Sequence, residues 1–353
     1  MVWLAEDASG YVLAEDGPRP STVPLLSVCI PTYNRAARLA GTLDQFAGVL
    51  RRSGHRGSVE MVISDNASPD GTAEVIRAAA GALAESVPLR VYTQRVNVGA
   101  EGNFKFLYEH ARGDYVLLWG DDDTLNEEDF GRLVDDLARH RPEVCISSFA
   151  NFGNAGDRTR VSAGRDVEMV DDLRAAVDHV YPLGKISQYV LRRHELAPTE
   201  QELSDRSARE TSFWFVALAV LLLARRSPRL LLRAGEIGNS GRDSRDMRFS
   251  PRVYGTKKAA VLMALGGSPL QAHFAVAIPE ARVDNFVVGN LFRTSLGLSR
   301  MERDVALDEF RYMRGKLAEI TFSSWRNAVK VPFILLLFPV VSRVRYRSER
   351  GGG

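Results

Sequence analysis

The sequence predicts an α/β domain built on a doubly wound, mostly parallel sheet with helices on both faces, followed by a helical C-terminal region. Three observations carry that prediction. From Leu25 to Phe149, short runs rich in Val, Ile, Leu and Tyr alternate with longer amphipathic stretches. Such alternation makes neighbouring strands parallel, because each helix must return the chain across the sheet in a right-handed crossover. Each apolar run then ends in a polar cluster, and at 353 residues the chain is long enough to cover both faces of a large sheet.

Residues 1–23 contain Gly and Pro, lack a regular period and read as a peripheral arm. Strands are predicted at 25–30, 59–64, 89–93, 115–119 and 144–149, all short and apolar. Helices are predicted between them at 35–52, 72–84, 102–111 and 127–139, each with apolar positions at helical spacing. Beyond 150 the pattern loosens and charge density rises, with a further strand at 186–191 returning to the sheet and Arg192 and Arg193 at its end. The expected organisation is an arm at 1–23, a first half at 24–150, a second half of the same domain at 151–250 and a helical region at 251–353.

Composition excludes several classes. A 45% hydrophobic, 25% charged chain with a net charge of +2 is neither disordered nor the strongly basic surface that nucleic acid requires, so no nucleic-acid partner is expected. Cys29 and Cys145 lie inside apolar runs and read as buried free thiols, which fits a reducing cytoplasm. The N-terminus lacks a basic region followed by a long apolar core, so no signal peptide is evident. The apolar run 213–224 falls short of the ~20 residues that span a bilayer and is expected to be a buried helix. A second short run, 331–341, precedes Arg343, Arg345, Tyr346, Arg347 and Arg350. That segment, 331–350, suits either peripheral contact with the anionic inner face of the cell membrane, or a helix docked on the core or on a second copy in a homodimer.

In doubly wound sheets ligands sit outside the carboxyl ends of the strands, so those ends carry the functional reading. The first strand runs into Pro31, Thr32, Tyr33, Asn34 and Arg35, the second into Asp65 and Asn66, the third into Asn97, Gly99 and Asn103, and the fourth into Asp121, Asp122 and Asp123. None of these turns has the G-x-G-x-x-G pattern of a dinucleotide site. An ionised Asp65 accepts hydrogen bonds only, which suits a base N–H or a ribose hydroxyl; its alternative is an Asx-turn with Ser68 or Asp70 capping the next helix. Three adjacent carboxylates at a strand end repel one another unless a cation or solvent relieves them, and hard divalent cations take oxygen ligands. The alternative there is a solvated acidic turn capping the helix from Glu127. His179 and His194 show no paired ligand spacing, and 238–248 reads as a polar loop able to close over substrate.

Taken together, SVCIPTYNRAARL, VISDNASPDGT, NVGAEGNF and GDYVLLWGDDDTL resemble the family 2 glycosyltransferases of the GT-A fold, in their abequosyltransferase-like branch. The resemblance covers about residues 24 to 150 and fades afterwards. It implies a nucleotide-sugar donor bound by Pro31, Thr32, Tyr33, Arg35, Asp65, Asn66, Asn97, Gly99, Asn103 and Asp121. It also implies a divalent metal, Mg²⁺ or Mn²⁺, on Asp122 or Asp123, although the triple run permits two registers of the Asp-x-Asp motif. The acceptor would be a hydroxyl on a glycan, a lipid-linked saccharide or a small molecule. In this family the catalytic base lies in a Glu-Asp or Asp pair before an aromatic helix. Glu210 in RETSFW is the matching candidate, Asp205 the reserve, and Thr211 stands where an Asp is common. The competing readings are a catalytically silent sugar-nucleotide-binding scaffold and a nucleotidyltransferase, for which a glycine-rich phosphate loop would be expected after the first strand.

Overall fold

The computed structural model describes residues 2–3, 11–16, 23–55, 57–151, 158–159, 161, 165–181, 183–211, 213–240, 259–266, 268, 270–277, 325–345 and a few positions between 288 and 314. Its strands are β1 (Val2–Trp3), β2 (Tyr11–Asp16), β3 (Leu26–Thr32), β4 (Val59–Asp65), β5 (Leu89–Gln94), β6 (Tyr115–Leu118), β7 (Asp123–Leu125), β8 (Val144–Asn151), β9 (Arg158–Thr159), β10 (Val167–Val170), β11 (Tyr189–Arg192) and β12 (Leu230–Ser240). Its helices are α1 (Ala36–Arg52), α2 (Thr72–Ala84), α3 (Gly99–His110), α4 (Glu127–His140), α5 (Leu173–Val180), α6 (Pro198–Glu210) and α7 (Trp214–Arg225), followed by helices Leu270–Ala277 and Trp325–Arg345.

One sheet runs in the order β1-β2-β5-β4-β3-β6-β11-β8-β12-β10. β5, β4, β3 and β6 pair in parallel, as the alternating pattern predicts. β3 and β4 are buried at every position, which explains their continuous rather than alternating hydrophobicity: a central parallel strand is covered on both faces. Successive residues serve opposite cores. Val28 and Ile30 pack with Leu39, Phe46 and Ile76 of α1 and α2 and with Phe130 of α4, whereas Cys29 packs with Leu107 of α3 and the α7 residues around Val216. α7 is apolar around its whole circumference and wholly buried over ten residues, as a helix at the centre of a core must be.

The return half departs from simple alternation. β11 inserts antiparallel between β6 and β8, and β8 pairs in parallel with β12. β2 adds antiparallel to the β5 edge. The acidic turn after β6 is short, because Asp123 already opens β7, which pairs with the end of β12. That pairing needs Gly238, where a Cβ would fall 2.4 Å from the Thr124 carbonyl and 2.6 Å from the Trp119 ring.

Candidate functional site

The carboxyl ends of β5, β4, β3 and β6 lie side by side and bring the polar clusters of the four motifs onto one edge. Thr32 closes β3, and its hydroxyl donates to Asp121 Oδ2 at 2.9 Å, joining the first motif to the fourth. Arg35, just before α1, and Arg38, in its first turn, face the same turn: Arg35 Nε lies 3.8 Å from Asp121 Oδ1, and Arg38 Nη1 lies 3.5 Å from Asp122 Oδ2. Thr42 Oγ1, one turn further on, holds the Asp121 carbonyl at 2.9 Å.

Asp123 points the other way. It is 1% exposed, pairs with Lys185 Nζ at 2.7 Å and accepts from Ser187 Oγ at 2.5 Å. Ser187 in turn accepts from Gly120 N at 2.9 Å. A Cβ at Gly120 would stand 2.7 Å from Asp123 Oδ2, so only glycine lets the turn fold this tightly. Burial raises the Asp123 carboxyl above its ordinary range, with Lys185 and Ser187 pulling it back down. Three adjacent acids thus meet three different cations, and Asp123 is the most deeply buried of them.

The β4 end is a braced turn. Asp65 Oδ1 accepts from Ser68 N at 3.1 Å and from Ser68 Oγ at 2.5 Å, the Asx-turn alternative, while Asp65 Oδ2 accepts no hydrogen bond among the described residues. Ser68 Oγ also receives Asn34 N at 2.9 Å, and Asp70 Oδ2 receives Ala36 N at 3.2 Å, so the turns after β3 and β4 are bolted together. Asn34 (φ 56°) and Ala67 (φ 61°) both sit in the left-handed region, strain of a kind that concentrates at binding sites. Pro31 is buried in the last turn-ward part of β3, and Tyr33 projects outward, 43% exposed.

Three residues expected to touch ligand also make hydrogen bonds within the protein. Asn66 donates to Asn97 Oδ1 (2.9 Å) and to the Gly99 carbonyl (3.1 Å) and accepts from Val98 N (2.9 Å). Asn97 Oδ1 also accepts from Gly99 N at 2.8 Å. Asn103 exchanges hydrogen bonds with the hydroxyl and carbonyl of Ser64 at 2.6 and 3.1 Å. These contacts start α3 at Gly99 (φ 78°), a turn before the predicted 102, and fix its N-terminus beside Asp65.

The two candidate bases are both committed to cations. Glu210, half-exposed in the last turn of α6, holds Arg206 through both oxygens at 3.0 and 3.1 Å. Asp205 is pushed up by its partial burial, but hydrogen bonds from Lys105 and Gln201 outweigh this and hold its carboxyl below the usual range. Lys105 Nζ lies 3.0 Å from it across the α3–α6 contact. Thr211 closes α6, donating through its hydroxyl to the Ser207 carbonyl at 2.8 Å. Arg38, Thr42, Lys185 and Ser187 were not legible as site residues. Glu101 was not either; it is half-buried in α3 and accepts from Trp214 N at 2.9 Å.

Elsewhere, His194 Nε2 meets Glu143 Oε2 at 2.6 Å, Arg192 meets Glu143 Oε1 at 3.1 Å, and Arg193 donates to the Gly113 carbonyl, so these groups brace the opposite strand ends. Most of the 238–248 loop, Tyr346, Arg347 and Arg350, and the side chains of Arg343 and Arg345 lie outside the described residues.

For a metal, the donor chemistry fits in part. Asp121 and Asp122 are hard oxygen donors at the rim of the edge, whereas Asp123 is neutralised by Lys185. Among the described residues no three His, Cys, Asp or Glu side chains are gathered to hold an ion by themselves. A cation held by one or two carboxylates and completed by phosphate oxygens, the usual Mg²⁺ arrangement, suits this set.

Residues 27–187 match the family model described as Glycosyl transferase family 2. The match covers under half of the chain. It is 35% identical over 109 residues to the abequosyltransferase RfbV of Salmonella typhimurium, covering 31% of each chain. It is 31% identical over 147 residues to an undecaprenyl-phosphate 4-deoxy-4-formamido-L-arabinose transferase of Pseudomonas paraeruginosa, covering 42% of this chain and 40% of that one. The match thus spans about a third to two fifths of these relatives. Among solved structures, S. aureus TarS 1–349 superposes with a TM-score of 0.54 at 15% identity over 92% of this chain and 91% of that one. A mannosyltransferase from Pyrobaculum calidifontis, in complex with GDP-Man and Mn²⁺, superposes with a TM-score of 0.50 at 13% identity, covering 94% and 89%. The fold is therefore that of the GT-A glycosyltransferases.

Proposed function

We propose that this chain is a family 2 glycosyltransferase that moves a sugar from a nucleoside-diphosphate donor to an acceptor hydroxyl with the help of Mg²⁺ or Mn²⁺. The observation that carries the reading is the clasp of Thr32 and Arg35 on Asp121, which joins the end of β3 to the acidic turn after β6. Tyr33, exposed just after β3, and Asp65 Oδ2, which accepts no hydrogen bond among the described residues, suit a base and ribose. Asp121 and Asp122 would hold the cation, and Arg35 and Arg38 are placed to exchange their carboxylates for diphosphate oxygens. When bound, the metal would stabilise the negative charge that develops on the departing nucleoside diphosphate. Arg35 and Arg38 supply the same kind of stabilisation from the protein side.

The structural neighbours support the donor class: TarS has been crystallised with UDP-GlcNAc and the Pyrobaculum calidifontis mannosyltransferase with GDP-Man and Mn²⁺. The name of the undecaprenyl-phosphate sugar transferase favours a lipid-linked acceptor for this chain too. The helix Trp325–Arg345 fits that reading, with Val331, Ile334 and Phe338 buried and Val329, Phe333 and Leu336 exposed along another face. No helix of the described residues is long and apolar enough to cross a membrane, so contact with lipid would be peripheral.

A silent sugar-nucleotide-binding scaffold is the second reading, favoured by one observation: Thr211 caps a helix and Glu210 is tied to Arg206 where a base would stand. Incubating the full chain with a panel of nucleoside-diphosphate sugars, with and without Mn²⁺, separates the two. Metal-dependent release of nucleoside diphosphate is expected; saturable binding without turnover of any donor would leave the scaffold.

A further inference from the structure

The family resemblance places a carboxylate immediately before the aromatic helix, and the local sequence provides none that is uncommitted. The structure nevertheless puts one there from elsewhere. Glu101, in the first turn of α3, reaches across to α7 and accepts through Oε2 from the backbone N–H of Trp214, the first residue of that helix. Its own helix starts at Gly99, and Asn66 pins Val98 and Gly99 to the turn that follows Asp65. Glu101 is thereby anchored on one side to the donor edge and on the other to the start of the aromatic helix.

We propose that Glu101 is the general base that takes the proton from the acceptor hydroxyl, which rests on the transferase reading given above. In the step, the acceptor O–H bond breaks and its proton passes to the Glu101 carboxylate. The freed electron pair forms the bond from the acceptor oxygen to the anomeric carbon. The bond from that carbon to the phosphate oxygen breaks, and its electrons leave with the nucleoside diphosphate.

Three further features support the role. Oε1 of Glu101 accepts no hydrogen bond among the described residues. Lys105, one turn along α3, is engaged elsewhere, holding Glu109 and Asp205. Burial pushes the Glu101 carboxyl up to about 7, with the Trp214 N–H drawing it back in part, which suits a base working near neutral pH.

The test uses the full chain with whichever nucleoside-diphosphate sugar the wild type turns over, water serving as the acceptor. Glu101→Gln keeps an oxygen for the Trp214 N–H, so nucleoside-diphosphate affinity should stay near wild type and the melting temperature should not fall. Turnover should fall by about 10²- to 10⁴-fold, the range of general-base catalysis. The wild-type loss of rate below about pH 7 should disappear in this variant, and Glu101→Asp should recover part of the rate with that limb restored. Wild-type turnover together with a Glu101→Gln rate within threefold of it and an unchanged pH profile would overturn the base assignment alone. Absence of wild-type turnover with every donor would overturn the transferase reading and this assignment with it.

Discussion

Two clusters of aspartates facing arginines stand on the same side of this sheet, and they are built in opposite ways. In one, Arg233 of β12 is 3% exposed and donates to Asp136 Oδ2 at 2.7 Å, Asp129 Oδ2 at 3.1 Å and Ser147 Oγ at 3.0 Å. The Asp136 contact has the length of a charge-assisted hydrogen bond and the other two are within ordinary hydrogen-bond range, so the buried charge is satisfied. In the other, Arg35 and Arg38 stand 3.8 and 3.5 Å from Asp121 and Asp122, beyond good hydrogen-bonding distance, and both arginines retain solvent contact. The first cluster is a closed structural lock. The second is an open pairing in which a cation and a diphosphate can take over from each partner, and the longer separations and greater exposure of its arginines distinguish it from the brace.

Breaking the closed lock should have the largest effect on stability. Arg233→Ala strands Asp129 and Asp136 and is expected to cost about 3–5 kcal/mol in urea unfolding. A cost under about 1 kcal/mol would mean the lock is not closed. Asp123 lies between the two extremes, since it belongs to the acid triplet but is buried on Lys185. Lys185→Met should destabilise by about 2–3 kcal/mol at pH 7. Because Asp123 is already raised by burial, the variant should regain stability as the pH falls and the carboxyl takes up a proton, which a pH series of melts would reveal.

Glu101 sharpens the comparison by having no cation partner among the described residues. Its carboxyl is raised from 4.5 to about 7, so the folded state binds the proton more tightly than the unfolded chain. The resulting cost to folding is absent below pH 4.5, grows between pH 4.5 and 7 and is complete above 7. Glu101→Gln removes it, so the variant should be about 1–2 kcal/mol more stable than wild type at pH 8 and equal to it at pH 4. The smallest stability effect belongs to the open pairing. Asp122→Ala should change unfolding by less than about 0.5 kcal/mol while weakening Mn²⁺-dependent nucleotide binding by about tenfold or more. Undiminished binding, measured by calorimetry, would remove Asp122 from the metal site.

What the sequence disclosed follows a physical boundary. β3 to β6 and α1 to α4 were legible because local period and turn chemistry determine them, and Thr32, Asp65 and Asp121 were legible because they sit at strand ends. Lys185 and Ser187 were not, since nothing local marks a Lys or Ser that will meet an Asp far back in the chain. β7 was hidden for the same reason: its three residues form a strand only because Gly238 allows β12 close to Trp119. Glu101 lay inside a motif read for its Asn and Gly residues, and only the contact with Trp214 gives it a role. Glu210 shows the converse, for Arg206 four residues earlier on one helix was a readable ion pair.

The insertion of β11 between β6 and β8 has a consequence for how the protein comes into being on the ribosome. A nascent chain that has emerged only as far as β8 carries all four motifs, yet β6 still lacks its outer neighbour and Asp123 its lysine. Until the segment carrying Lys185, Ser187 and β11 appears, the chain presents an open strand edge beside a buried-to-be carboxylate, a combination that invites intermolecular pairing. The donor edge is thus written early in the message and finished late, and its timing is set by a strand that contributes no residue to the motifs.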